Sequence, residues 1–455
     1  MPFSINQKIK VEYLNYLVLL TFVFFSKNID NSLHIIYAIF GLTFFFKRFS
    51  NPLRIISPLS LLYLYTSISF SIGSWAFSND LVLNTSDLLS FKYFHNTKST
   101  TLYIMICLII IDVIESKLGG ANMFKKCSER TYDTINFKWQ EVLFISGIAL
   151  FLMFLKPDLG FLGYSGSLNY FFICIVVLML LIKISKKKLS IRIFGYVLIF
   201  TSLSFVLYAS KRELIFFIFP ILFLEARNIN KINFKTIVAS IFTTILLLLS
   251  IIVMSLLRGY GGFIPNSNPF EVIKTIPRYI SSENFLKYLF NNLEVNYTFF
   301  HTYQAFEYIY QKPEYLLWGE SFIKPLFIFL PRSIFPIKPQ SIIHRYTEIY
   351  SPLYRDKGGS FPINLIAESF FNFHLLGLII FSLLVISIPK VLKLILSIEN
   401  KHVRMTYMFV YMNLIMLYRG SGIDLYLTYI ILFIIFYSIS TIPYYVLKNY
   451  YNFSK

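Results

Sequence analysis

The chain has 455 residues, 56% of them hydrophobic and 14% charged, with a mean hydropathy of +0.63. Soluble domains carry roughly 25% charged residues, so the composition excludes an ordinary soluble globule and points to one integral membrane bundle. The formal charge of +19 raises nucleic acid as a partner, but the lysines and arginines sit in short clusters between apolar runs. That is the pattern of membrane topology, and nucleic acid is set aside.

A helix crossing about 30 Å of hydrocarbon needs about 20 mostly apolar residues. In chain order such runs fall near 11–26, 33–46, 55–77, 100–117, 141–156, 168–184, 191–209, 212–226, 236–257, 363–388, 405–418 and 425–446. The second, eighth and eleventh are short. The expected fold class is all-α, a polytopic membrane helix bundle of about 12 spans with one large helical outer loop. Residues 1–257 form an N-terminal bundle of about nine spans, 258–362 the loop, and 363–455 a C-terminal bundle of about three. The opening "MPFSINQKIK" precedes an apolar run without a small-residue cleavage site, which predicts a retained signal-anchor helix. Cys107, Cys127 and Cys174 have no paired spacing, which argues against a disulfide or zinc framework.

The cations give the orientation. With the N-terminus in the cytoplasm, 24 of the 42 lysines and arginines fall in inside segments, 7 in short outside loops and 11 in the long loop. Short loops decide orientation, whereas long ones translocate largely regardless of charge. Both termini are therefore expected in the cytoplasm. The loop 258–362 faces outward, in a compartment without ATP. No GxxxxGK[ST], GxGxxG or HExxH motif occurs, so nothing points to soluble nucleotide or zinc chemistry.

Within the loop, residues 283–311 read as an amphipathic helix that caps the bundle or lies on the bilayer surface. Glu283, Glu294 and Glu307 are expected on its solvated face, and His301 as a packed or interfacial histidine. The stretch 324–374 interleaves prolines, cations and small residues. Its prolines forbid one long helix, and Gly358-Gly359 before Ser360 offers a turn where backbone N–H groups approach a ligand. Arg332, Lys338, Arg345, Arg355 and Lys357 outnumber the local acids Glu348 and Asp356. Lipid headgroup binding is one reading of this cluster. A phosphate or pyrophosphate pocket is the other, since the guanidinium fork donates paired hydrogen bonds. Two tight outer turns, "ASKRELIFF" with Arg212 and "YRGSGIDL" with Arg419 and Asp424, place charge at membrane depth, where it is costly and usually functional or paired. Snorkelling at helix ends is the alternative. Asp112 and Glu115 face the cytoplasmic half and are expected to be structural or paired with Lys117.

These stretches carry a resemblance. "LPRSIFPIKP" followed by "GGSFPINLIAESFFNFHLLG", with "SKRE" and "RGSGID", is similar to the pattern of O-antigen or capsule repeat-unit polymerases of the Wzy type. The resemblance implies a GT-C-like, metal-independent glycosyltransferase of lipopolysaccharide or capsule biosynthesis in the bacterial inner membrane. Such an enzyme moves a growing glycan from undecaprenyl pyrophosphate onto an incoming lipid-linked repeat unit, at the periplasmic face. Undecaprenyl-pyrophosphate-linked glycans are then donor and acceptor. Membrane lipids, a chain-length regulator and a flippase are further partners, and no cofactor or metal is expected.

Cations at the outer boundary suit a pyrophosphate leaving group. Arg212, Arg258, Arg332, Lys338, Arg345 and Arg419 are the expected diphosphate contacts. The acceptor hydroxyl needs a base or an orienting acceptor, for which Glu368, His344 and Asp424 are candidates, with Glu368 first. Tyr346, Tyr350 and Tyr354, four residues apart, suit stacking on sugars, with an interfacial aromatic belt as the plainer reading. An O-antigen ligase and a lipid-linked-oligosaccharide flippase or transporter are the alternatives. The absence of an evident repeat between the halves argues against the transporter.

Overall fold

A computed structural model describes residues 5–26, 29–49, 51, 53–82, 94–118, 120–155, 168–206, 216–228, 269–283, 285–293, 295–330 and 334–453. Most of these residues are helical, with no β-strand among them. In chain order the principal helices are α1 (Ile5–Phe25), α2 (Leu33–Arg48), α3 (Pro58–Ser78), α4 (Thr97–Leu118), α5 (Gly120–Thr134) and α6 (Trp139–Leu155). Then come α7 (Asn169–Ser185), α8 (Leu189–Val206), α9 (Ile218–Glu225), α10 (Pro269–Ile280), α11 (Phe285–Leu293) and α12 (Val295–Gln311). The last are α13 (Ile342–Tyr350), α14 (Leu365–Phe373), α15 (Gly377–Ser397), α16 (Lys401–Met412), α17 (Leu414–Arg419) and α18 (Ile423–Phe453). The expected span 236–257 lies outside the described residues.

Two helical runs, Leu365–Ser397 and Ile423–Tyr450, are long and apolar enough to cross a membrane. A third qualifies if α5 and α6, bent by 103°, form one broken span. The twelve runs read from the sequence are thus met only in part, for two physical reasons. Helices such as α2 and α7, with 16 and 17 residues, are about 25 Å long at 1.5 Å per residue. Helices α3 and α4 are long enough, but they spend apolar positions on buried Ser60, Thr66, Ser67, Ser69, Thr100 and Asp112. The tenth and eleventh runs are also interrupted. His374 takes φ +50 between α14 and α15, and Gly377 sits so close that a Cβ would lie 2.3 Å from the Ser369 carbonyl oxygen. Asn413 separates α16 from α17, its side chain accepting from the Tyr170 hydroxyl at 2.8 Å and donating back to the Phe409 carbonyl at 2.9 Å.

Helix ends follow their sequence. Asn364 starts α14 by accepting from the Ala367 N–H at 2.9 Å, and Asn400 starts α16 by accepting from the His402 N–H at 2.8 Å; such caps stabilise by about 1 kcal/mol each. Pro58 opens α3, where a missing N–H costs nothing.

The loop helix α12 is buried against α3 and α14. Phe306 stacks on Phe370 at 4.0 Å between centroids, and the Tyr303 hydroxyl meets those of Tyr37 at 2.6 Å and Thr101 at 2.8 Å. It therefore caps the bundle as an integral part of it. The single helix expected over 283–311 divides into α11 and α12. Glu307, expected in water, is instead buried. Its carboxylate accepts from the Asn96 backbone N–H at 3.0 Å and holds the start of α4. A helix face that looks solvated in isolation becomes a contact face when its acid satisfies another helix's orphan N–H groups.

The opposite end of the bundle carries the cations expected inside. Lys47 reaches Asp112 at 3.1 Å and Arg48 pairs with the same carboxylate, so Asp112 is paired, but not with Lys117. Glu115 accepts from Ser57 at 2.9 Å. Lys401 binds Glu141 at 2.5 Å, and the Arg227 guanidinium lies 3.1 Å from the Tyr132 ring centroid. Amphipathic α5, read from sequence only as an inner loop, is the hub of this end. Arg130 donates to the Leu396 carbonyl at 2.7 Å, and buried Arg404 donates to Thr131 at 3.3 Å.

Candidate functional site

The two stretches singled out in sequence, "GGSFPIN" and "YRGSGID", come together. The Ile363 N–H donates to the Gly420 carbonyl at 2.8 Å, and Ile363 and Ser421 form a short parallel bridge. Both glycines of the second turn are required. Gly420 has φ +120, and a Cβ there would lie 2.7 Å from the Ile363 backbone; Gly422 has φ +83, and a Cβ there would lie 2.6 Å from an Asp424 carboxylate oxygen. Around this junction is a pocket of about 150 Å³, whose polar lining comes from Ser360, Arg419, Ser421 and Tyr429. Thr298 of α12 donates to the Arg419 carbonyl at 3.3 Å, tying the turn to the loop helix. Phe361, on the pocket wall, donates its N–H to Thr347 at 2.8 Å and stacks on Tyr354 at 4.7 Å.

Behind the Arg419 turn lies a buried polar cluster. Glu368 is fully buried on α14. One carboxylate oxygen accepts from the Ser321 hydroxyl at 2.7 Å, the other from the Ile423 backbone N–H at 2.8 Å. Asn372, one turn on, donates to Ser321 at 2.9 Å and accepts from the Gly319 N–H at 3.1 Å. Asp424, also fully buried, accepts from Lys324 at 2.6 Å with one oxygen. Its other oxygen has no hydrogen-bond partner, and its neighbours Ser421 and Leu425 line the pocket. The turn around Gly319, which takes φ +91, and the partners Ser321, Lys324 and Asn372 were not flagged in the sequence. Ser321 and Lys324 lie 47 and 100 residues from the acids they serve, with no periodicity to betray them.

The structure thus brings Glu368, Asp424 and Arg419 together and leaves others apart. Glu368 has both oxygens engaged and holds the turn that carries Arg419, which makes it a positioning residue. Lys338 is buried, with its ammonium donating to the Ile328 and Leu330 carbonyls at 3.3 and 3.1 Å; it braces its own segment rather than the pocket. Arg345 is exposed and pairs loosely with Glu348 at 3.8 Å. His344 is half-buried on α13, beside pocket-lining Ile343. Tyr346 is fully buried with its hydroxyl 2.9 Å from His301 Nδ1, so it has no face for a sugar. Burial holds the His301 imidazole well below its usual pKa, neutral and unsuited to bind an anion. Tyr350 stacks on Tyr346 at 5.9 Å, while Tyr354 is exposed. Arg212, Arg258 and Arg332 lie outside the described residues; Phe216, the first described residue after Arg212, lines the pocket.

Among the described residues no group of three or more His, Cys, Asp or Glu is placed to hold a metal ion. The arrangement suits anion binding: one guanidinium at a polar pocket, its turn clamped by a buried carboxylate, and a second carboxylate with acceptor capacity behind the wall. No family model, curated protein or solved structure matches the chain.

Proposed function

We propose that this chain is a polytopic membrane glycosyltransferase that polymerises undecaprenyl-pyrophosphate-linked oligosaccharide repeat units into O-antigen or capsular polysaccharide at the outer face of the bacterial cytoplasmic membrane, with both termini inside. The observation that carries this reading is the junction of Ser360-Phe361-Pro362 with Arg419-Gly420-Ser421 around one polar pocket. The pocket is smaller than the roughly 300 Å³ of sites that enclose drug-sized ligands. It suits a compact anion such as a diphosphate, with the glycan lying outside it.

A membrane setting is supported by the apolar side chains turned outward on the helices, among them Phe151, Phe154, Phe194, Leu383 and Leu394. It is supported also by the segregation of charge. The cations assigned to the inside by loop length bond to one another's helices at one end, while Lys324, Arg419, Glu307 and Asp424 share the other.

In the proposed reaction the acceptor hydroxyl attacks the anomeric carbon of the donor glycan, and the bond from that carbon to the diphosphate breaks. The diphosphate leaves with the electron pair and is stabilised by Arg419. The hydroxyl proton passes to water at the membrane boundary, while Asp424, buried behind the pocket wall, holds Lys324. Deletion of the gene, followed by gel analysis of surface polysaccharide, tests this. Single-repeat glycan on the lipid acceptor supports a polymerase, unmodified acceptor points to a ligase or flippase, and normal ladders contradict the proposal.

A further inference from the structure

The turn between α7 and α8 gathers cations that neither line the pocket nor tie helices together. Lys183 lies in the last turn of α7, Lys186 caps it, and Lys187 and Lys188 follow before α8 begins. Two aromatic rings seat the first pair. The Lys186 ammonium lies 5.2 Å from the ring centroid of Tyr132, which also carries the Arg227 guanidinium, and the Lys183 ammonium lies 5.2 Å from the ring of Trp139. The nearest buried acid is already engaged: Glu225 pairs with Arg192 at 3.3 Å and accepts from the Tyr196 hydroxyl at 2.8 Å. Among the described residues Lys183, Lys186, Lys187 and Lys188 form no ion pair. Burial and the like charge of Lys183 hold the Lys186 ammonium below its usual pKa, against the opposing pull of Asp133. Lysines so crowded repel one another, and an anion among them is attracted by each.

The flanks of this turn are hydrocarbon. α7 packs on both α6 and α8. Leu143 on α6 and Leu189, Ile193 and Phe194 on α8 are each more than half exposed. A ligand that satisfies this surface is anionic at one end and apolar at the other, which a free phosphate is not. Basic pockets between membrane helices hold phospholipid headgroups by this combination. We infer that the α7–α8 turn seats the phosphate of an anionic phospholipid, with the acyl chains lying along the outward face of α8. This rests on the membrane setting proposed above and is independent of glycan transfer.

The test uses the full chain with Trp75→Phe and Trp318→Phe, which leaves Trp139 as the one tryptophan. The protein is reconstituted in phosphatidylcholine vesicles with a rising fraction of brominated phosphatidylglycerol or, in parallel, brominated phosphatidylcholine. The inference expects half-maximal quenching of Trp139 at a phosphatidylglycerol fraction at least about fivefold below that for phosphatidylcholine, and a loss of about fivefold in this preference for Lys186→Gln and likewise for Lys187→Gln. Lys187 is exposed, so its variant keeps the fold if that of Lys186 does not. Lys357→Gln, at the pocket end, should leave the preference unchanged. A preference that survives both lysine variants, or falls equally in Lys357→Gln, overturns the inference. So does reversal by inorganic phosphate that chloride of equal ionic strength does not reproduce, since the seat would then take free phosphate. If neither lipid quenches Trp139, the membrane reading fails; if both quench it alike, only the lipid seat fails.

Discussion

At one end of the bundle Arg48 and Lys47 converge on Asp112, Lys401 on Glu141, and Arg130 and Arg404 on the close of α15 and on α5. The pocket lined by Lys47, Arg48, Arg54 and Glu115 is only about 30 Å³. At the other end Arg419 borders about 150 Å³, while Glu368 and Lys324 fix the turn and the acid behind it. Similar residues thus do different things at the two ends. Charges at the Asp112 end are struts that tie distant helices together, whereas at the other end Arg419 borders a cavity.

The sharpest way to break this comparison is to cut a strut. Arg48→Ala strips Asp112 of a buried partner, for which the expected loss of stability is about 3–5 kcal/mol; Lys47 keeps it near the lower figure. Unfolding of the purified protein in detergent measures it, and Arg48→Met with Asp112→Leu should recover most of the loss. Arg419→Ala is the counterpart at the cavity. It should reduce glycan transfer about 10²–10³-fold while the unfolding transition stays near that of the parent chain. An Arg419→Ala chain that unfolds as readily as Arg48→Ala would erase the distinction.

Glu368→Gln sharpens the positioning role. The amide oxygen still accepts from the Ile423 N–H, so a loss of about 1–3 kcal/mol from the poorer Ser321 bond and partial retention of product are expected. Complete loss of product with an intact fold would make Glu368 a base after all, and gel ladders from the complemented strain distinguish the two. Smallest of all, Arg345→Ala touches only an exposed pair and should move stability by less than about 0.5 kcal/mol, with ladders unchanged.

Some of this architecture was legible in sequence and some was not. Apolar runs located α2, α3, α4, α6 and α7 closely, because burial in either lipid or protein demands the same long hydrophobic stretch. Glu368 stood out as an acid within such a run, and Arg419 and Asp424 as charges in a turn too short to hide them. Interruption at His374 and Asn413 was not legible, since a single residue's backbone angle leaves no periodic trace. Nor were the partners of the buried acids: Ser321 for Glu368, Lys324 for Asp424 and Asn96 for Glu307 are supplied by distant segments. Lys338 and Arg345 were read as ligand contacts from charge alone, yet one turns inward to carbonyls and the other stays in solvent. Composition cannot tell these directions apart; only the packed chain does.

The most direct measurement is transfer by the purified protein in lipid nanodiscs, supplied with undecaprenyl-pyrophosphate-linked repeat units and no added metal. The account predicts a ladder of polymer with stoichiometric release of undecaprenyl pyrophosphate, lost in Arg419→Ala and kept in Arg345→Ala. No ladder from the parent chain, or an undiminished ladder from Arg419→Ala, would contradict it.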